Sequence, residues 1–380
     1  MDCSLASVCG GCSLRHLEEE QYRQYKFDLV KKALQSITRQ DYILNSPIFI
    51  DEGSRRRASF AFRRSKGKII LGFNAFRSNE IIDLPSCPQL TTKLNRNLDF
   101  FRNLLAEICR TPITVKEGKK GKSKTVYVDG GDLWLTEVEN GIDAVLEFNV
   151  PLNLDLRQII FEQVSANNDI VRISHRLNVE KQSETIIEKA APYIMADQTA
   201  VYIPAGTFLQ PSKEGQQVLT DLVMKYVGSA DGKIADLFCG VGTFSYPMAA
   251  NKNNKVTAVD SSSALLEGFK NSVNRQMISN IEIINRNLFK YPLDEKELSV
   301  FDIVVFDPPR AGAKEQSVKL AQMPDEKRPH KLVAVSCNPE TFARDAEILQ
   351  NGGYFLREVT PVDQFVYTNH CELVAYFEKN

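Results

Sequence analysis

The sequence predicts an α/β protein whose C-terminal part is a doubly wound, Rossmann-like parallel sheet. From about residue 193, apolar strand-like segments alternate with glycine turns and helix-forming segments. One strand, LVAVSCN, ends in Cys337, and Pro339 suits the first turn of the following helix. Ligands of open α/β sheets bind at the carboxyl ends of the strands, so Cys337 is a candidate site residue. Alternatively, Cys337 is a small buried hydrophobic residue.

Two further domains are predicted before this one. Residues 1–95 contain a group of cysteines, a helix-like segment and a basic β-hairpin. Residues 96–192 form a mixed α/β domain of short strands and one helix, and a boundary near Pro192 precedes the doubly wound domain at 193–380.

Composition limits the class of protein. The 47 Lys and Arg residues nearly balance the 48 Asp and Glu residues, so a nucleic-acid partner would have to be bound by local basic patches. No signal peptide and no membrane span is recognisable, and we expect a cytoplasmic protein without membrane contacts. In that compartment the eight cysteines are expected to be thiols or ligands.

The N-terminal cysteines have the spacing of a metal site. Cys3, Cys9 and Cys12 form C-x5-C-x2-C, and Cys87 lies in the turn-like segment LPSCPQL. Both zinc and iron–sulfur clusters take four thiolates, and the spacing does not distinguish between them. The alternative is a set of incidental thiols near the terminus.

A basic, aromatic hairpin lies between these cysteines and is predicted to turn at residues 65–67. Its charges suit phosphate contacts, and its rings suit base stacking on single-stranded RNA. Alternatively, the segment is a solvated hairpin whose phenylalanines form a core. These residues are Arg55, Arg56, Arg57, Phe60, Phe62, Arg63, Arg64, Lys66, Lys68, Phe73 and Phe76. A second basic run, residues 116–124, is predicted to be a mobile hairpin tip.

The first strand of the doubly wound domain indicates an adenosine cofactor. Asp236 precedes a turn containing Gly240 and Gly242, and Asp260 ends the next strand, where a carboxylate can bind ribose hydroxyls. A dinucleotide is disfavoured because Ser245 interrupts the G-x-G-x-x-G pattern. An acidic edge suits the amino group and sulfonium of S-adenosylmethionine. A later strand ends in Asp307-Pro308-Pro309-Arg310, whose prolines keep the chain extended beside the pocket.

These motifs together resemble the RNA uracil-5 methyltransferases, which make 5-methyluridine in ribosomal and transfer RNA. The resemblance covers nearly the whole chain and is carried by the N-terminal cysteines with Cys87, FLQPS at 208–212, DLFCGVGTF, FDPPRAG, VSCNPETFARD and HCE at 370–372. It implies that the central domain binds RNA and that a 4Fe-4S cluster is bound by Cys3, Cys9, Cys12 and Cys87. It further implies S-adenosylmethionine at Gln210, Phe238, Asp260, Asn287 and Asp307, with Cys337 as nucleophile and Glu372 as base.

The chemistry requires these residue types. Uracil C5 is a poor nucleophile until a thiolate adds at C6, and the C5 proton must then be removed by a base. Cys337 ends one strand and Glu372 begins another, so both can reach one pocket. We expect Arg310 to contact the nucleotide and the target base to be flipped or unpaired. His370 is expected to be structural, and Cys109, Cys239 and Cys371 are expected to be packing residues.

The expected substrate is large-subunit ribosomal RNA, with transfer RNA as the alternative, and the expected protein is a monomer. Because Cys3 is almost the first residue, no further RNA-binding barrel is expected before it, as in a shorter ribosomal-RNA group. Asp260 replaces the glutamate of many members and should still bind ribose. A non-catalytic iron–sulfur RNA-binding protein is a rival class. An amino-group methyltransferase is another, but it would need an aromatic residue where Arg310 stands.

Overall fold

The structure is a computed structural model that describes residues 3–117, 122–179, 181–229 and 231–379. Its contacts divide the chain into two compact units, each assembled from separate segments. Unit 1 comprises Met1–His16, Glu52–Ile194 and Pro204–Ser212, and unit 2 comprises Leu17–Asp51, Met195–Ile203 and Lys213–Asn380. The three consecutive domains of the sequence analysis therefore differ from this division, most clearly in residues 17–51, which join the C-terminal unit.

The elements up to residue 110 are α1 (Glu19–Leu34), β1 (Ile43–Leu44), β2 (Ile48–Phe49), β3 (Arg57–Ser65), β4 (Lys68–Asn74), β5 (Ile81–Asp83), α2 (Thr92–Arg96) and α3 (Leu98–Arg110). The next elements are β6 (Ile113–Glu117), β7 (Lys122–Val126), β8 (Gly130–Val138), β9 (Gly141–Glu147), α4 (Leu154–Ala166), β10 (Ile170–Arg176), β11 (Glu184–Glu188), β12 (Tyr193–Ala196) and β13 (Thr199–Tyr202).

The C-terminal segment alternates helices and strands, as its sequence predicts. Its elements are α5 (Lys213–Val227), β14 (Lys233–Leu237), α6 (Ser245–Ala250), β15 (Lys255–Asp260), α7 (Ser263–Arg275), β16 (Ile281–Asn285), α8 (Glu295–Leu298), β17 (Ile303–Phe306), α9 (Lys314–Ala321), a 3-10 turn (Asp325–Lys327), β18 (Lys331–Ser336), α10 (Pro339–Asn351), β19 (Tyr354–Asp363) and β20 (Glu372–Lys379).

Unit 2 contains the predicted doubly wound sheet. Its strands follow the order β1-β19-β20-β18-β17-β14-β15-β16, with β2 also paired to β19. The five strands from β18 to β16 are parallel, whereas β20 runs antiparallel to both of its neighbours. Two buried apolar clusters pack against the sheet, and one of them includes Val30 and Leu34 of α1. The parallel strands thus bring their carboxyl ends to one edge, where β20 begins.

Unit 1 contains a seven-stranded sheet of order β11-β10-β9-β8-β3-β4-β5. The predicted β3–β4 hairpin and its turn are confirmed, with Ser65 paired to Lys68 and positive φ angles of 48° at Lys66 and 78° at Gly67. Base stacking by Phe60 and Phe62 is wrong, because both rings are buried in the core that also contains residues of α3 and α4. Alternation along β3 directs these rings toward the helices.

Other parts of the hairpin prediction change as well. Phe73 stacks on Phe60 at 5.0 Å between ring centroids, whereas Phe76 is 59% exposed. Arg56 is buried, and its Nε donates a 3.1 Å hydrogen bond to the Gln210 carbonyl oxygen. In the second basic run β6 pairs with β7, and residues 118–121, the predicted mobile tip, lie outside the described residues.

Candidate active site

Three predicted cofactor residues lie together at the carboxyl edge of the unit 2 sheet. Leu237 pairs with Val259 on one side and with Phe306 on the other, so the next residue, Phe238, lies between Asp260 and Asp307. The backbone continues this pattern, because the Phe238 amide donates to the Val259 carbonyl at 2.8 Å and the Asp307 amide donates to the Leu237 carbonyl at 3.2 Å. The ends of three adjacent strands therefore form one acidic edge around a phenylalanine.

The turn after β14 is shaped by positive φ angles. Phe238 has a φ of 62°, which a non-glycine residue seldom adopts and which marks a constrained site. Gly240 has a φ of 55°, and a Cβ there would meet open space, so its backbone is accessible to a ligand. A Cβ at Gly242 would instead lie 2.4 Å from the Phe269 ring. Asp260 fixes this turn by accepting a 3.0 Å hydrogen bond from the Gly240 amide.

Asn287 follows β16, the next strand of the sheet. Its side-chain oxygen accepts 3.1 Å hydrogen bonds from the amides of Phe289 and Lys290 and so closes a tight turn. This turn brings the Phe289 ring within 5.4 Å of the Phe238 ring, centroid to centroid. The Asn287 turn therefore belongs to the same edge as Phe238.

Gln210 and Asp236 differ in their placement. Gln210 belongs to unit 1, so the sheet edge of unit 2 does not itself contain it. Asp236 is fully buried in β14, where Ser245 donates a hydrogen bond to one carboxylate oxygen and the other has no partner within the described part of the chain. Burial raises the pKa of Asp236 to about 7, and the nearby carboxylates of Asp307 and Asp260 add to this shift.

Cys337 lies at the junction of β18 and α10. The side chain of Asn338 caps the helix by accepting a 3.1 Å hydrogen bond from the Glu340 amide, and Pro339 occupies the first turn. The Cys337 side chain is partly exposed, unlike those of Cys109, Cys239 and Cys371, which are buried as predicted. A partly exposed thiol at a strand end is accessible to a substrate, which a fully buried packing residue would not be.

Glu372 faces Cys337 across two antiparallel strands. Ser336 of β18 pairs with Leu373 of β20, so the following residue, Cys337, lies opposite the preceding one, Glu372. Glu372 is 3% exposed, and its Oε2 has no hydrogen-bond partner among the described residues. Burial and the carboxylate of Asp307 raise the pKa of Glu372, while a hydrogen bond from Gln364 opposes the shift. Such an unpaired, buried carboxylate has the environment of a general base.

The Cys337 thiol must lose its proton to become a nucleophile, so a raised pKa lowers the fraction that is reactive. Burial raises its pKa to about 11, and the carboxylates of Glu372 and Asp307 add to the shift. Arg310 is the neighbouring cation that lowers the pKa of this thiol. Arg310 also hydrogen-bonds His370 at 3.0 Å, and burial together with Arg310 lowers the pKa of His370.

A cavity of about 530 Å³ gives access to Cys337. Its volume falls within the range of about 300–1,000 Å³ that is usual for small-molecule sites. The lining residues all belong to unit 2 and come from α1, the loop after β17, the start of α10 and the loop before β20. They are Leu29, Lys32, Ala33, Ser36, Arg310, Cys337, Asn338, Pro339, Glu340, Asn369 and His370.

A buried ion pair holds the loop that carries His370 and leads into Glu372 of β20. Lys26 of α1 and Asp363 of β19 are 2.7 Å apart, with side chains 0% and 1% exposed. Lys26 also donates hydrogen bonds to the carbonyl oxygens of Phe365, at 3.3 Å, and His370, at 2.6 Å. Tyr22 donates a hydrogen bond to the second Asp363 oxygen. One side chain of α1 thus fixes both ends of this loop.

The four N-terminal cysteines line one cavity of about 340 Å³ in unit 1. Burial raises the pKa of the Cys12 and Cys87 thiols, and Arg15, which donates to the Cys12 sulfur, opposes the shift of Cys12. Arg55 also lines this cavity. Within the described ranges, no three Cys, His, Asp or Glu side chains are arranged to hold a single metal ion.

The sheet and its acidic, glycine-containing edge define an S-adenosylmethionine-dependent methyltransferase fold. The chain belongs to the tRNA (uracil-5-)-methyltransferase family, whose model matches residues 155–380. The predicted family and the predicted enzyme class, an RNA (uracil-5-)-methyltransferase, are thereby confirmed.

Two relatives and one solved structure illustrate what the chain is similar to. An uncharacterised RNA methyltransferase of Brucella melitensis is 37% identical over 98% of this chain and 82% of its own length. The 23S rRNA (uracil(1939)-C(5))-methyltransferase RlmD of Aliivibrio fischeri is 26% identical over 99% of this chain and 82% of its own. The Pyrococcus abyssi tRNA (uracil-54, C5)-methyltransferase, solved with S-adenosyl-L-homocysteine, has a similar fold, with a TM-score of 0.71, 24% identity and coverage of 99% and 86% of the two chains.

Sequence reasoning missed the contribution of α1 to the site. One available signal was Lys26, which shares a four-residue spacing with the buried residues Tyr22, Val30 and Leu34. A cation on an apolar helix face indicates a buried partner. Among the helices of the described residues, none has the length and apolarity to cross a bilayer.

Proposed function

We propose that this protein methylates C5 of a uridine in RNA through a covalent bond between Cys337 and C6 of the base. The observation that carries the proposal is the strand register that sets Cys337 opposite Glu372, beside the acidic edge formed by Asp260 and Asp307. A nucleophile and a base on adjacent strands can act on neighbouring carbons of one ring. This arrangement also favours the enzyme over a non-catalytic RNA-binding protein, which would need neither group.

The first step is the addition of the Cys337 sulfur to C6. Its thiol proton passes to solvent, which can reach the partly exposed side chain, before the S–C6 bond forms, and Arg310 is the cation that favours the thiolate. As the S–C6 bond forms, the electrons of the C5–C6 double bond move toward C5 and the O4 carbonyl, which makes C5 nucleophilic. S-adenosylmethionine, when bound, supplies an electrophilic methyl group to this carbon.

The second step is proton removal by Glu372. Its unpaired Oε2 takes the proton from C5, the C5–C6 double bond re-forms, and the S–C6 bond breaks to return the Cys337 thiolate. The raised pKa of Glu372 suits this role, because a more basic carboxylate accepts a carbon-bound proton more readily. The carboxylate has to be ionised at the start of the step.

Phe238, Asp260, Asn287 and Asp307 are the residues that would hold S-adenosylmethionine. Asp260, at the end of the second strand in the doubly wound order, suits the ribose hydroxyls. The carboxylates of Asp307 and the buried Asp236 suit the cationic end of the cofactor. Gln210 remains a proposed ligand on the family resemblance.

A 4Fe-4S cluster on Cys3, Cys9, Cys12 and Cys87 is part of the proposal. Four thiols around one cavity are the donor set that such a cluster takes. The cations Arg15 and Arg55 lie beside these thiols and would offset the negative charge of thiolate ligands. We assign the cluster a structural role.

We propose large-subunit ribosomal RNA as the substrate, with transfer RNA as the second candidate. The likeness to RlmD supports the first, and the name of the matching family supports the second. The exposed cations at the β3–β4 turn, Arg63, Arg64, Lys66 and Lys68, are the proposed phosphate contacts on unit 1.

The test is methyl transfer from labelled S-adenosylmethionine to transcripts of 23S rRNA and of tRNA, followed by nucleoside analysis. The proposal predicts 5-methyluridine in the ribosomal transcript, and no product with Cys337→Ala. If 5-methyluridine forms only in the tRNA transcript, tRNA and not ribosomal RNA is the substrate. Methylation by Cys337→Ala at the wild-type rate would exclude the covalent mechanism.

A further inference from the structure

One face of α1 forms a wall of the cavity that contains Cys337. Leu29, Lys32, Ala33 and Ser36 line this cavity, and their spacing of three, four and seven residues places them on one side of a helix and its C-terminal turn. A different stripe of the same helix, Tyr22, Lys26, Val30 and Leu34, is buried. The helix is thus anchored by one face while it presents another to the cavity.

Lys32 supplies an unneutralised cation to this wall. Its side chain is exposed, and no carboxylate among the described residues forms an ion pair with it. Arg310 is the second cation of the cavity, and Glu340 is the single acidic residue among the described residues that line it. The remaining polar groups are neutral amides and a hydroxyl, together with His370, whose pKa is lowered. The lining residues therefore carry a net positive charge that suits an anionic group, whereas Glu372 and Asp307, the carboxylates beside Cys337, are not among them.

The anchoring of α1 makes its position relative to Cys337 well defined. Lys26 bonds the His370 carbonyl oxygen at 2.6 Å, and His370 itself lines the cavity. Lys26 and Lys32 are six residues apart on one helix, so the position of the cavity wall is fixed relative to the loop before Glu372. A fixed wall can bind a substrate group in one orientation, as accurate positioning of a nucleotide requires.

We propose that this face of α1 is the binding wall for the target nucleotide, with Lys32 contacting its phosphate and Ala33 packing against the nucleotide. The inference rests on the proposed function, because a uridine bonded to Cys337 must place its phosphodiester within the same cavity or at its rim. It adds to that function a substrate-binding element from a segment that precedes the doubly wound domain in the sequence.

The first test compares Lys32→Gln with Lys31→Gln. Both variants remove one exposed lysine charge from adjacent positions of α1, but Lys31 does not line the cavity and lies 5.9 Å from the Phe27 ring. Binding of the transcript that the enzyme methylates is measured at several salt concentrations in a Cys337→Ala background. Lys32→Gln should weaken binding about tenfold and reduce the salt slope by about one. Lys31→Gln should change neither, and equal effects of the two variants would overturn the proposal.

The second test fills the cavity. Ala33→Trp should abolish covalent trapping of 5-fluorouridine RNA while S-adenosylmethionine still binds, which shows that the variant is folded. Unchanged trapping by Ala33→Trp would contradict the proposal that this face of α1 binds the target nucleotide. Failure of the proposed function is distinguishable, because the wild type itself would then trap no RNA.

Discussion

Lys26→Met should destabilise the protein strongly, because it leaves the Asp363 carboxylate buried without its cation. The two side chains are 0% and 1% exposed and 2.7 Å apart, and Lys26 also satisfies two backbone carbonyl oxygens. Breaking a fully buried pair by removing one partner costs about 3–5 kcal/mol. Urea unfolding followed by far-ultraviolet circular dichroism measures the change in the free energy of unfolding.

Lys225→Met is the matched control. Lys225 and Glu358 are also 2.7 Å apart, but their side chains are 53% and 21% exposed, so the loss should stay below about 1 kcal/mol. Adding Asp363→Asn to the Lys26→Met variant removes the uncompensated charge and should recover part of the lost stability. If Lys26→Met lowers the free energy of unfolding no more than Lys225→Met does, the buried ion pair does not have the stabilising role described here.

Three further predictions concern the proposed site. Because burial raises the pKa of Glu372, the methylation rate should rise with pH above the usual glutamate range, where the base becomes ionised. Glu372→Gln should lose this rise of rate with pH and should accumulate the covalent adduct. An unchanged pH profile in this variant would contradict the base role. Asp260→Ala should weaken S-adenosylhomocysteine binding about tenfold in calorimetry, and undiminished binding would exclude the ribose contact. Cys87→Ser should lose iron and visible absorbance after anaerobic purification, whereas Cys109→Ser should keep both; equal iron content in the two variants would exclude Cys87 as a ligand.

The fold of unit 2 was predictable because parallel strands buried on both faces are continuous apolar runs. Such runs, separated by glycine turns and helices, also indicate where each strand ends, and this is why Asp260 and Asp307 could be assigned to one edge. The antiparallel direction of β20 was not predictable, since an apolar strand has the same composition in either direction. That direction matters here, because it sets Glu372 opposite Cys337.

The errors on the N-terminal part have a common physical cause. Alternation along β3 identifies which residues share a face, but it does not reveal which face the helices cover, so the sequence could not exclude base stacking by Phe60 and Phe62, which the structure places in the core. Similarly, helical periodicity identifies the stripes of α1 but not the unit on which the helix packs. Lys26 was the one residue whose position on an apolar stripe indicated a buried partner.

The most direct test of the covalent mechanism through Cys337 is trapping with 5-fluorouridine RNA and S-adenosylmethionine. Fluorine at C5 cannot be removed as a proton is, so an enzyme that bonds C6 stays attached to the RNA and migrates as a larger species on a denaturing gel. We expect this species for the wild type and its absence for Cys337→Ala. If the wild type methylates RNA but forms no such species, or if Cys337→Ala still forms it, Cys337 is not the nucleophile.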